Sequence, residues 1–131
     1  MSLHLSFNTK DSQNDKFRSL YREHDFNQIS KLDYWFVLHN DDEIIAECSV
    51  IIENDNIYEI NDVLVVEKFR GNKYAELLII NILLYFEEQN RNLIIKIMCE
   101  KDNIAAYNTY NRIFGDSYRT DSRYHYFFYQ L

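Results

Sequence analysis

The chain has 131 residues, of which 47% are hydrophobic and 16% aromatic. That composition excludes a disordered polar tract and suffices for one domain, residues 1–131, with a substantial core. A net charge of −7 and a pI near 5.0 argue against nucleic acid as the main partner and mildly favour a cationic one.

The elements follow in chain order. A short strand is expected at residues 4–7. Asp11 or Ser12 can cap a helix whose apolar face includes Phe17, Leu20 and Tyr21, and a second helical piece covers residues 25–30. Residues 34–38 and 44–52 alternate as strands around the turn Asn40-Asp41-Asp42. After the turn Glu53-Asn54-Asp55-Asn56, a β-branched strand runs over residues 57–66. A long apolar helix spans residues 73–88. A strand at 93–98, a helix at 104–113 and terminal strands marked by Tyr118 and residues 124–129 complete the chain. Three adjacent strands before a strand–helix–strand unit imply an α/β mixed sheet with helices on it. A ferredoxin-like sandwich does not explain those three adjacent strands. The aromatic run 124–129 reads as a buried strand or one that forms a homodimer, rather than as a base-stacking surface.

Other features narrow the classes further. Cys48 and Cys99 are the only cysteines, and no secretory signal precedes them, so reduced thiols in a cytoplasmic, intracellular protein are expected. The longest apolar segment, residues 77–86, is interrupted by Asn81 and is shorter than the roughly 20 residues that cross a bilayer. No membrane partner is expected. His24, His39 and His125 lack ligand spacing, so no metal is expected either.

The most informative stretch is IYEINDVLVVEKFRGNKYAE, residues 57–76. A strand feeding a tight turn that opens a helix makes an anion site, because the first helical N–H groups lack partners and the dipole adds positive charge. Arg70 adds a fixed cation suited to phosphate. A phosphorylated, nucleotide-bearing cofactor is the natural ligand.

Arg70-Gly71-Asn72-Lys73-Tyr74-Ala75 resembles the pyrophosphate loop of the GNAT superfamily of acetyl-coenzyme A-dependent N-acetyltransferases, Gln/Arg-x-x-Gly-x-Gly/Ala. Arg70 and Ala75 fit, and Gly71 sits where many members carry Gly. Lys73 stands where the first motif glycine belongs. Downstream, NIAAYNTYNRIFG at residues 103–115 resembles the family's later helix, Asn-x-x-Ala-x-x-Leu-Tyr followed by a basic residue and Gly-Phe. Asn103, Ala106, Tyr110 and Arg112 match. Thr109 replaces Leu, and Phe114-Gly115 inverts the final pair.

The resemblance implies a GNAT-like mixed sheet of six to seven strands flanked by about four helices. It implies acetyl-coenzyme A as co-substrate and an amine, small molecule or protein, as acceptor. The strand at 57–66 should lie parallel to the strand at 93–98 and splay from it, in a right-handed crossover. Tyr110 is then the acid beside the cofactor sulfur. Glu59 is the base, since it precedes Arg70 by the interval seen in histone-type members. By alternation Glu59 shares its face with Asn61, Val63 and Val65. Asp62 matches an acidic acceptor-contact position and points to the other face unless a bulge intervenes. Val63, Leu64 and Val65 offer backbone groups to the acetyl and pantetheine parts, and Asn103 and Ala106 meet the cofactor from the other side. Arg70, Gly71, Asn72, Lys73, Tyr74 and Ala75 hold the pyrophosphate. Glu23, Asp25, Glu53 and Asp55 border the acceptor groove. The alternative is a non-catalytic domain of the same fold whose coenzyme A site is altered at Lys73 and at Phe114-Gly115.

Overall fold

The computed structural model describes residues 3–9, 33–89, 92–117 and 119–131. The two helices expected within residues 11–30, and Tyr118, lie outside these. Seven strands form one mixed sheet in the order β1-β2-β3-β4-β5-β7-β6. They are β1 (His4–Thr9), β2 (Tyr34–His39), β3 (Ile44–Asn54), β4 (Ile57–Val65), β5 (Ile94–Glu100), β6 (Arg119–Thr120) and β7 (Tyr124–Gln130). Helix α1 (Tyr74–Glu88) joins β4 to β5, and α2 (Ile104–Phe114) follows β5. The four strands β1 to β4 are antiparallel neighbours, β4 and β5 are parallel, and β7 is antiparallel to β5 and to β6.

Local chemistry explains the turns. Asn40 Oδ1 accepts from the N–H groups of Asp42 and Glu43, both at 2.8 Å, which closes the β2–β3 turn. Asn54 Oδ1 does the same for Asn56 and Ile57 between β3 and β4. β2 reads YWFVLH and is buried at every residue, as a strand covered on both faces must be.

Among the described residues the core lies between the sheet and helices α1 and α2. α1 buries Leu78, Ile79, Ile82, Leu83 and Phe86, a stripe at helical spacing. Phe86 meets Tyr34, Phe36 and Tyr58 edge-on at 5.2, 5.8 and 5.3 Å between centroids. Such pairs add about 0.5–1.5 kcal/mol each beyond burial. Asn81, the polar interruption in the apolar run, donates its amide to the Leu77 carbonyl one turn earlier, at 2.8 Å. α2 packs Tyr107, Tyr110 and Phe114 around Phe127 of β7. No helix of the described residues is long and apolar enough to cross a membrane.

Candidate active site

The strand β4 departs from simple alternation. Glu47 pairs with Leu64 and Ser49 with Asn61, so Cys48 alone faces both Asp62 and Val63. Asp62 adopts φ 53°, a left-handed conformation that Asp tolerates better than most residues. This is a β-bulge, and it inverts the side-chain parity of the strand. Before it, Tyr58 and Ile60 are the buried residues; after it, Val63 and Val65 pack against the same core. The expectation that Glu59, Val63 and Val65 share a face is therefore corrected: the extra residue puts the two valines on the helix side and leaves Glu59 on the other.

The β4–β5 ladder is short. It covers only Ile57 with Ile94, Tyr58 with Ile95 and Glu59 with Lys96, although β4 continues to Val65 and β5 to Glu100. Beyond Glu59 the two parallel strands splay. From Ile60 onward, no described strand pairs with the β5-facing edge of β4, so its backbone groups there can serve a ligand.

The loop after β4 is built by its own polar groups. The 3₁₀ turn Glu67–Phe69 closes with Phe69 N–H on the Val66 carbonyl at 2.9 Å, and Arg70 N–H reaches the Glu67 carbonyl at 3.2 Å. Arg70 Nε donates back to the Val65 carbonyl at 3.0 Å, tying the loop to the end of β4. Asn72 Nδ2 braces the Phe69 and Arg70 carbonyls at 3.1 and 3.3 Å, so its side chain supports the loop from within. Gly71 takes φ 83° and Lys73 takes φ 62°, ψ 27°; both are left-handed. Lys73 is thus a glycine-like backbone position carrying a lysine. It is the N-cap of α1 and supplies no side-chain acceptor. The first i→i−4 bond of the helix is Leu77 N–H to the Lys73 carbonyl, so the N–H groups of Tyr74, Ala75 and Glu76 precede the internal ladder. Glu76 in that first turn pairs with Arg112 of α2 at 3.3 Å, which fixes the two helices to each other.

On the helix side of the splay stands Tyr110, 7% exposed and edge-on to Phe127 at 5.8 Å. Burial pushes its phenol up to about 12, with the neighbouring Cys99 and Cys48 adding in the same direction. Both thiols are buried and likewise raised, chiefly by burial. Asn103 caps α2, its side chain accepting from Ala106 N–H at 3.1 Å. Ala106 packs against the core beside Tyr110.

Glu59 stands on the opposite face, at the last paired residue before the splay. Lys96 Nζ lies 2.6 Å from Glu53 Oε1 and 3.7 Å from Glu59 Oε2. Burial raises the Glu59 carboxyl, helped by the adjacent Glu53, whereas the hydrogen bond from Lys96 lowers that of Glu53. Sequence reasoning placed Glu53 in a loop and passed over Lys96. The signal available was one lysine inside the otherwise apolar stretch Ile94 to Cys99. Of the expected acceptor-side residues, Asp62 and Asp55 are exposed, and Glu23 and Asp25 lie outside the described residues. Among the described residues no group of three His, Cys, Asp or Glu is placed to hold a metal.

The arrangement is a helix start whose first N–H groups precede the internal ladder, a split between parallel strands, and a buried phenol and a carboxylate on its two faces. Solved structures share the architecture. A GNAT family acetyltransferase from Elizabethkingia anophelis, with acetyl-CoA bound, superposes with a TM-score of 0.72 at 12% identity, covering 98% of each chain. The Campylobacter jejuni N-acetyltransferase PseH in complex with acetyl coenzyme A gives 0.71 at 17% identity, over 98% of this chain and 99% of that one. An IAA acetyltransferase from Bacillus cereus gives 0.69 at 10% identity, over 99% and 100%. No curated protein matches. The model of the acetyltransferase (GNAT) family matches residues 3–116, and with a seven-stranded GNAT-like sheet around the split strands, the chain belongs to that family.

Proposed function

We propose that this chain is one catalytic domain that transfers an acetyl group from acetyl-coenzyme A to a primary amine by direct attack in a ternary complex. The observation that carries the reading is the β4–β5 splay, flanked by Tyr110 on one side and Glu59 on the other. Two of the structural neighbours described above hold acetyl-CoA. The residues here fit that molecule: the helix start at Tyr74, Ala75 and Glu76 suits a pyrophosphate, with Arg70 and Lys73 as nearby cations, and the open edge of β4 at Val63, Leu64 and Val65 suits an amide-bearing arm. When bound, acetyl-coenzyme A supplies the activated acyl group as a thioester.

The proton chemistry then falls to the chain. A lysine-like amine is protonated at pH 7, and neutralising it costs about 4.6 kcal/mol. Glu59, raised by burial, accepts that proton directly or through water. Tyr110 stays protonated throughout the physiological range, because its phenol is held at about 12. Complete transfer of its proton to a thiolate of ordinary acidity is uphill by roughly 5 kcal/mol. Its contribution is therefore a hydrogen bond that strengthens as charge develops on the leaving sulfur.

Two measurements test the reading. Acetyl-coenzyme A at 100 times its Kd should stabilise the fold by about 2.7 kcal/mol, seen as a thermal shift. A panel of primary amines should then identify the acceptor by coenzyme A release. No thermal shift at millimolar acetyl-coenzyme A refutes the proposal and favours a non-catalytic domain.

A further inference from the structure

Two carboxylates and one ammonium meet at the edge of the splay. Glu53 comes from β3, Glu59 from β4 and Lys96 from β5, so the cluster crosses three neighbouring strands. The side chains are 32%, 17% and 17% exposed, respectively. The ammonium sits much closer to Glu53 than to Glu59, 2.6 against 3.7 Å. It also lies 5.8 Å from the ring centroid of Tyr126 on β7. That phenol is itself tied to Asp121 Oδ2 at 2.6 Å and covered by Arg119 at 4.4 Å. The residue opposite Glu59 on β3 is Ile51, which carries no charge. Among the described residues, then, the charges facing Glu59 are Glu53 and Lys96.

We propose that Glu53 and Lys96 are positioning residues for acyl transfer: Glu53 draws the Lys96 ammonium to itself and leaves the Glu59 carboxylate at the splay with its counterion at the longer distance. The inference rests on the reading of Glu59 as the base. Its physical logic is competition. An ammonium bonded closely to Glu59 would hold that carboxylate ionised and make it a poor proton acceptor. With no ammonium present, two adjacent carboxylates would resist ionising together, and Glu59 would stay protonated and inactive in the neutral range. The shared lysine sets a state between these. The burial of Glu59 and the neighbouring Glu53 both raise its carboxyl, in keeping with that state.

The test titrates the Glu59 carboxyl carbon by NMR alongside the pH profile of kcat/KM. Glu53→Gln releases Lys96 to Glu59, so the Glu59 midpoint and the acid limb should both fall, by about one pH unit. Lys96→Met leaves the carboxylates facing each other, so both should rise. Lys96→Arg should restore the wild-type midpoint. Midpoints that stay put, or that move in the same direction in Glu53→Gln and Lys96→Met, overturn the proposal. Failure of the base assignment is told apart by Glu59→Gln. If that variant keeps full turnover and the same acid limb, Glu59 is not the base and Glu53 and Lys96 position nothing for catalysis.

Discussion

Lys73 is the place where this chain departs from its family's glycine, and its backbone makes a quantitative prediction. The residue sits at φ 62°, ψ 27°. A non-glycine residue held there costs about 1–2 kcal/mol relative to the right-handed region. Glycine removes that strain but gains freedom in the unfolded chain, which offsets about 0.4–1 kcal/mol. The side chain makes no capping bond that would be lost. Lys73→Gly should therefore stabilise the protein by about 0.5–1 kcal/mol, equivalent to about 2–4 °C in Tm for a chain of this length. Lys73→Ala keeps the strain and should leave stability within about 0.5 kcal/mol of wild type. Urea denaturation of the three proteins reads the difference directly. Lys73→Ala should weaken coenzyme A binding and flatten its salt dependence, as a mobile cation is gone, whereas in Lys73→Gly closer backbone approach offsets that loss. A Lys73→Gly protein no more stable than Lys73→Ala would refute the strain argument.

Three further outcomes follow from the geometry. Tyr110→Phe keeps the ring against Phe127 but removes the hydroxyl, so kcat should fall by about 10²–10³, as for loss of one hydrogen-bond donor to a developing charge, while thermal stability and coenzyme A affinity change little; full turnover on the true acceptor would remove Tyr110 from the mechanism. Arg70→Ala loses both a phosphate-side cation and the bond to the Val65 carbonyl, so calorimetry should show weaker coenzyme A binding, most clearly at low salt. Asp121 is held down at about 2 by the Tyr126 hydroxyl and by the N–H groups of Arg123 and Tyr124. A depressed carboxyl stabilises the fold above its ordinary value of 3.8 and loses that contribution as pH falls towards 2. Tyr126→Phe should move the Asp121 midpoint upward in an NMR titration, and an unmoved midpoint would show that the hydroxyl is not its main support.

The sequence made the order of elements legible because alternation and helical spacing are local. Element ends differ by at most two residues where the structure describes them, as at β3, which runs to Asn54 rather than residue 52. The bulge was harder to place. NDVLV reads as an alternating strand in either parity, and what decides the parity is a single left-handed Asp62. Aspartate is no strong marker of that conformation, so the apolar valines were assigned to the face of Glu59. The left-handed backbone at Lys73 was legible only through the glycine that the family motif carries there. The Glu53–Lys96–Glu59 cluster was not legible at all, because Lys96 meets Glu59 through strand register and meets Glu53 from the end of β3, 43 residues away along the chain.

The bulge also bears on how the proposed site would draw on both faces of the sheet. An intact β4–β5 ladder would seal Tyr110 beneath the strands and leave Glu59 above them, with continuous backbone between. One extra residue at Asp62 bends and twists the strand locally, and pairing with β5 is already absent beyond Glu59, three residues before it. The same residue turns Val63 and Val65 inward, so the apolar side chains of the splayed segment stay against the core while its backbone edge opens. A single parity change thus keeps the core closed and the ladder open. That combination leaves the buried Tyr110 phenol on one face and the Glu59 carboxylate on the other, the two groups to which the proposed mechanism assigns its proton chemistry.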